Sequence, residues 1–406
     1  MLPLPPEDAT TLPGWRPEPE PAAAPAEAET LAVFQGRRAI LAEGASWLEG
    51  RLVAGGRTRR IARLVLEGEA GALLALALPL ARDLPLLPAR ASLAEEALAL
   101  AEDRAPRPRR GGPPSLGDAA DVEGALRVAL GHLLEVLLAE SAACRLEFGP
   151  RGVHQSRVAL RRMRSLLRIF RPLVDGPDWR AWDAALRDLA AALGAARDWD
   201  VFLDGIGAGT LAALGGDARI KRLMGAARRE RDAAYAALEE VLAGPGFRLA
   251  VWQGLALILL RPAAAPELPL PPFAAEVLRK RWKRLKRAGA AMEALDPAAL
   301  HEMRLDAKRL RYAAEPFAAL WPGKAARRFT KRLAGLQEAL GLANDAVVAR
   351  DLAARLAGQG AGGFAIGTVT GFAAGRAEGS RLAAMAAWEA LRRAGPFWKG
   401  EPEGVS

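Results

Sequence analysis

Two stretches of this 406-residue chain carry residue types that can do chemistry, and they carry them in the same order. His154 is followed by Arg157, Arg161, Arg162 and Arg164, and His301 by Arg304, Lys308, Arg309 and Arg311. Both read apolar-His-x-x-Arg-x-x-x-(Arg/Lys)-Arg-apolar-Arg, at an offset of 147 (154 to 301). Two of the chain's three histidines head these segments. A repeat this sharp points to two copies of one structural unit.

On a helix, steps of three and four place His154, Arg157, Arg161, Arg164 and Arg168 along one face. His301, Arg304, Lys308 and Arg311 do the same in the second copy. Each helix then presents a cationic ridge with a histidine at its N-terminal end. Val158, Leu166 and Ile169, and Leu305 and Leu310, fall on the other side and are expected to pack inward. The plainer reading is a solvated face. Solvated faces mix signs for i,i+4 pairing, yet no Asp or Glu occurs from Gly149 to Pro172. Crowded like charges cost stability, so an anion is expected to offset them.

Catalytic readings fare worse. A phosphohistidine relay would use the nucleophilic imidazole, but no Ser/His/Asp set, P-loop or Gly-rich nucleotide fingerprint accompanies the histidines. A metal between His154 and His301 would be repelled by the ridge arginines. No catalytic residue, metal or cofactor is expected.

Hydrophobic residues make up 51% of the chain, enough for a core, and the abundance of Ala, Leu and Arg favours helix. Length allows two or three domains. The net charge is +10, but residues 1–114 hold 14 Lys+Arg against 15 Asp+Glu, so the whole excess lies beyond Pro114. Such a charge suits a polyanion: nucleic acid, an anionic membrane surface or a polyphosphate. The single cysteine, Cys144, excludes an intramolecular disulfide and a Cys-rich metal site. The Pro- and Glu-rich start does not resemble a signal peptide. The apolar runs near Leu73–Leu80 and Leu255–Leu260 are too short to span a bilayer, and a cytoplasmic location is expected.

Taken in order, residues 1–29 read as disordered. Residues 30–103 read as a small α+β segment. Its strands lie around Leu31–Phe34, Ser46–Glu49 and Ile61–Leu66, and its helices run over Ala70–Leu84 and Ser92–Glu102. Residues 104–117 are a linker. Beyond it the pattern predicts helices near 118–146, 151–171, 178–195, 198–206, 218–243 and 246–260. After a second linker, Pro262–Pro272, helices follow near 273–293, 297–320, 323–340, 344–357, 362–379 and 380–394. The repeat continues past the ridges: Leu193-Gly194-Ala195-Ala196-Arg197-Asp198 matches Leu340-Gly341-Leu342-Ala343-Asn344-Asp345 at the same offset. Each Asp follows a helix-ending glycine, so Asp198 and Asp345 are expected to N-cap the next helix.

A further basic cluster spans Arg279 to Arg287 and puts Lys280, Lys283, Arg284 and Arg287 on one face, just before the second ridge. The matching residues of the first half, His132 to Glu140, are apolar and acidic, so the site is expected to be stronger on the second half. Trp282 is expected in the core, with base stacking the minority alternative.

The ridge pair, the Leu-Gly-x-x-(Arg/Asn)-Asp segments and Pro396-Phe397-Trp398 resemble the CHAD family, the conserved histidine α-helical domain, over about 118–400. The resemblance implies a mainly α fold: two four-helix bundles (about 118–261 and 273–400) related by a pseudo-two-fold axis. It also implies a basic central channel that binds inorganic polyphosphate. By position the channel residues would be His154, Arg157, Arg161, Arg164, His301, Arg304, Lys308 and Arg311. Residues 31–103 resemble the later part of a CYTH (triphosphate tunnel) domain through Glu49–Arg57 and Asp83-Leu84-Pro85-Leu86. That family's opening Glu-x-Glu-x-Lys strand is missing. Its later acidic strand keeps only Glu67, and its Ser-Lys-Ala is Ser92-Leu93-Ala94. Without the metal-holding carboxylates, a degenerate, non-catalytic segment is expected, and triphosphatase activity is not.

The resulting expectation is a polyphosphate-binding protein that is not an enzyme, cytoplasmic or on polyphosphate granules with their proteins. No specific nucleic acid and no membrane are expected as partners. Arginine would bind phosphate oxygens in pairs and lysine as a point charge. A neighbouring polyanion would favour protonated histidine, giving tighter binding below about pH 6.5. Two alternatives stay open: a general polyanion or nucleic-acid binder, and a scaffold docking a partner protein through residues 31–103.

Overall fold

The computed structural model describes residues 32–105, 111–116, 119, 121–261, 268–292, 295–357 and 362–400. The expected disordered N-terminus lies outside these, as do residues 106–110 and 117 of the first linker and 262–267 of the second. Three strands, β1 (Ala32–Ala42), β2 (Ala45–Ala54) and β3 (Arg57–Leu66), form an antiparallel sheet in the order β1-β2-β3. Tight turns at Gly44 and Gly55-Gly56, all at positive φ, let the chain reverse. α1 (Ala70–Asp83) and α2 (Leu93–Ala101) follow, the latter opened by a Ser92–Glu95 capping box. Leu52, Ala54, Ile61 and Leu100 make a small core between sheet and α2.

Helix α1 binds this segment to the rest. It lies against a later helix, α8 (Pro245–Leu259). There the buried Arg248 guanidinium donates to the carbonyls of Ala81 (2.9 Å) and Arg82 (3.2 Å), oxygens that α1's own helix leaves unpaired. The Trp252 indole donates to the Leu86 carbonyl at 3.0 Å.

The helical part runs α3 (Val122–Ser141), α4 (Arg151–Ile169), α5 (Pro177–Phe202), a π turn (Leu203–Gly207), α6 (Ala208–Ala213), α7 (Ala218–Ala243) and α8. The second half runs α9 (Leu270–Ala290), α10 (Pro297–Phe317), α11 (Lys324–Arg355) and α12 (Gly363–Ala394). The mainly α architecture is as expected. One apolar core spans both halves, and the repeat-related Phe170 and Phe317 meet across it with centroids 6.3 Å apart. A second core, from Trp199, Phe202, Ile220, Leu352, Leu356 and Val369, joins the ends of α5, α7, α11 and α12.

Three expected helix breaks are absent. α5 passes through Gly194, α11 through Gly341 and α12 through Gly379, so Asp198 and Asp345 lie inside helices and cap nothing. Glycine was read as a stop, but neighbouring contacts hold these helices together at a cost of about 1 kcal/mol per glycine. Helix α9 also starts within the expected linker, with Pro271 and Pro272 in its first turn, where a missing N–H costs nothing. Trp282 packs against Phe329 (5.5 Å) and Trp388 (5.8 Å), which places it with the core aromatics.

Three glycines predict responses of opposite sign. A Cβ at Gly254 would lie 2.6 Å from the Trp182 ring, whereas at Gly367 and Gly371 it would meet nothing within 4 Å. Gly254→Ala is expected to lower stability by about 1–3 kcal/mol through overpacking. Gly367→Ala and Gly371→Ala are each expected to raise it by about 1 kcal/mol. Urea melts of the three variants check both signs.

Candidate anion-binding site

The site is built where the repeats meet. α4 packs on α10, and α5 on α11. Arg157 and Arg304, Asp198 and Asp345, and Val201 and Val348 are counterparts at the repeat offset, and all line one cleft of about 210 Å³. His154, Arg161 and Arg197 join them over an apolar floor of Phe202, Ile206, Ala349 and Leu352. Ile206 belongs to the π turn, which turns it toward the cleft.

Local structure frees the arginines. A Cβ at Gly194 would collide with the Arg157 guanidinium, so glycine in mid-helix makes room for that side chain. Arg157 reaches the Ala190 carbonyl at 3.4 Å and Asp198 only at 3.9 Å. The Nε of Arg161 and the hydroxyl of Tyr312 are buried with no hydrogen-bond partner among the described residues, and the guanidinium lies 6.0 Å from the Tyr312 centroid. Buried donors left unmatched cost about 1–3 kcal/mol each, a cost an entering acceptor would remove.

The electrostatics follow from crowding. Burial, then the charges of Arg161, Arg304 and Arg157, push the Lys308 ammonium down to about 7. Burial, then Arg197, Arg161, Arg157 and Arg162, hold His154 below its ordinary value and favour neutral imidazole. Burial raises the Asp198 carboxyl against the pull of Arg157 and Arg197, and Asp345 adds to the rise.

The predicted site residues divide into groups. His154, Arg157, Arg161 and Arg304 line the cleft, with Lys308 beside them. Further along the ridges, carboxylates neutralise the cations: Arg164 binds Asp183 at 2.7 Å, and Arg311 binds Glu315 at 2.5 Å. Arg168 is exposed at the end of α4. His301 is exposed in the first turn of α10 and does not line the cleft. Neither does the α9 cluster: Lys280 pairs with Glu276 (3.2 Å), Arg284 with Asp306 (2.8 Å), and Lys283 and Arg287 face outward. The expected bias toward the second half is reversed in the cleft, where the first half supplies His154, Arg157, Arg161 and Arg197. On the matching stretch of α3, by contrast, Arg90 from the N-terminal segment approaches Glu135 at 3.9 Å. Sequence reasoning missed Arg197 as a site residue, although it sits in the repeated motif beside Asp198.

Lys308 supplies a stability test. Between pH of about 7 and 10.5 the unfolded chain holds a proton there that the folded chain has released, so native stability rises with pH across that window. Lys308→Met removes the slope. It is expected to stabilise the protein most below pH of about 7 and to lose that advantage toward 10.5. Urea titrations across that range check it.

The model of the CHAD domain family matches residues 128–354. Comparison with curated proteins finds no match. Among solved structures, PptA from Streptomyces chartreusis shares the fold at 19% identity and a TM-score of 0.51, covering 68% of this chain and 100% of that one. The crystal structure of the CHAD domain from the plant Ricinus communis is 30% identical with a TM-score of 0.55, covering 73% of this chain and 99% of that one. A family model spanning more than half the chain, and a relative matched over nearly its whole length, agree with the repeat and the cleft: the chain belongs to the CHAD family.

Proposed function

We propose that this protein binds inorganic polyphosphate in the cleft between its two repeats and does so without catalysis. The observation that carries the reading is the convergence of Arg157, Arg161, Arg197 and Arg304 on one half-buried space, with the Arg161 Nε lacking an acceptor. Guanidinium groups engage phosphate oxygens through paired hydrogen bonds, and partial burial strengthens each contact. A linear phosphate polymer is narrow enough for a cleft of this size, whereas a DNA duplex is not. In this reading binding would also bring the protein to polyphosphate granules in the cytoplasm.

A bound polyanion would draw protons onto its neighbours. Lys308, held at about 7 by burial and its arginine neighbours, would move back toward its ordinary 10.5. Affinity is therefore expected to tighten as pH falls from about 10 to about 7, and Lys308→Arg is expected to flatten the profile, because arginine stays charged. His154 starts below its ordinary 6.5, so its share of the effect comes at lower pH than an isolated histidine's.

The direct test compares long-chain polyphosphate, duplex DNA, single-stranded RNA and ATP at about 150 mM salt. It uses wild type and a variant with Arg157, Arg161, Arg304 and Lys308 changed to alanine. Tight polyphosphate binding that the variant loses, with weak binding of the rest, is the expected result. Equal affinity for DNA and polyphosphate would make the ridges a generic basic surface.

A further inference from the structure

Outside the cleft, several exposed arginines have a carboxylate at hand. Arg219 has Asp217, Arg279 has Glu276, Arg350 has Asp351 and Arg392 has Glu389, all within 3 Å. The first half of α11 gathers five basic residues in nine positions. Lys324, Arg327, Arg328, Lys331 and Arg332 are all exposed, and no ion pair is described for any of them. No acid occurs from Lys324 to Gln337. Three of these cations, Lys324, Arg327 and Arg328, stand at the N-terminal end of a helix that has no side-chain cap. There the helix dipole opposes positive charge. The arrangement costs stability twice, through like-charge repulsion and through the dipole, and an external anion relieves both.

Position gives that anion an identity. Arg327 and Asp345 are 18 residues apart, five full turns of 3.6, so they share a face of α11 about 27 Å apart. Asp345 lines the cleft. Lys331 is rotated from that face by only about 40°. The stretch between holds Gln337, contacted by Arg311 at 3.4 Å, and one acid, Glu338. The opposite face is anchored: Phe329 stacks edge-on against Trp282, Phe397 and Trp398, so the cations stand on a fixed support.

We infer that the first half of α11 is a second contact for the same polyphosphate chain, engaged only by polymers long enough to leave the cleft and run along the helix. This rests on the cleft being the polyphosphate site and adds a length preference to it. A short phosphate would fill the cleft alone, while a long one would gain the contacts of Lys331, Arg327 and their neighbours.

The experiment measures binding of tripolyphosphate, long-chain polyphosphate and duplex DNA to the full chain. It compares wild type, an Arg327→Gln/Arg328→Gln/Lys331→Gln/Arg332→Gln variant and an Arg157→Ala/Arg304→Ala variant. The glutamines sit on an exposed face, and a melting temperature no lower than that of wild type confirms folding. The α11 variant is expected to bind tripolyphosphate like wild type. It should lose tenfold or more on the long chain, with a salt dependence shallower by about three in the log–log slope. Unchanged long-chain affinity and slope in that variant overturn the inference and leave the cleft reading standing. An equal loss on tripolyphosphate also overturns it, since the stripe would then act only as a general field. Loss of duplex DNA binding without loss of polyphosphate binding assigns the stripe to nucleic acid and overturns it too. Failure of the underlying reading looks different: the Arg157→Ala/Arg304→Ala variant would keep its tripolyphosphate affinity.

Discussion

One carboxylate lets two cationic helices lie side by side. Glu315, on α10, binds Arg162 of α4 at 2.8 Å and Arg311 of its own helix at 2.5 Å, in a place where its side chain is 14% exposed. Without it, guanidinium groups from both repeats would face one another in a poorly solvated seam, and their repulsion would oppose the packing of the halves. Asp183 does the same for Arg164. These acids divide the ridges. The far end is neutral and structural. Among the described residues, the near end has Asp198, 3.9 Å from Arg157, and its counterpart Asp345. The cleft is where the internal counter-charge runs short.

Much of this was legible in the residue pattern, because charge periodicity and helix geometry share one period. The steps His154–Arg157–Arg161 and His301–Arg304–Lys308 placed the ridges, and the second copy gave the repeat. The pattern could not say which ridge cations are free. Their partners, Asp183 and Glu315, are 19 and 153 residues away from Arg164 and Arg162, and only the tertiary packing brings them in. Gly194 shows a second kind of failure. Read locally, it ends a helix and leaves Asp198 as a cap. In the folded chain it is the spot where Arg157 crosses α5, and the missing Cβ serves that crossing. The exposed cations of α11 have neither a histidine nor a second copy at the repeat offset, so no repeated motif marks them.

The N-terminal segment owes its place to groups that were unremarkable in the sequence. Arg248 and Trp252 lie in a helix of the first repeat, yet they satisfy the last carbonyls of α1 and the chain just after it. A helix end that would otherwise need solvent is thereby held against the bundle. The alternation of apolar residues located all three strands, since a half-buried sheet keeps a period of two, but it missed the polar second half of β1 beyond Phe34 and the end of β2 beyond Glu49. How the sheet and α1 attach to the bundle depends on those two side chains, which no local pattern marks.

The π turn at Leu203–Gly207 has no counterpart in α11, which runs as an unbroken α-helix through the equivalent stretch. Both copies of the repeat sit in one polypeptide, so a change in one wall of the cleft leaves the other untouched, whereas in a pair of identical chains every change would be doubled. Arg197 stands where the second copy has Asn344, and Ile206 enters from one side only. The cleft thus has a front and a back that differ in charge and shape, although the fold that builds it is a repeat.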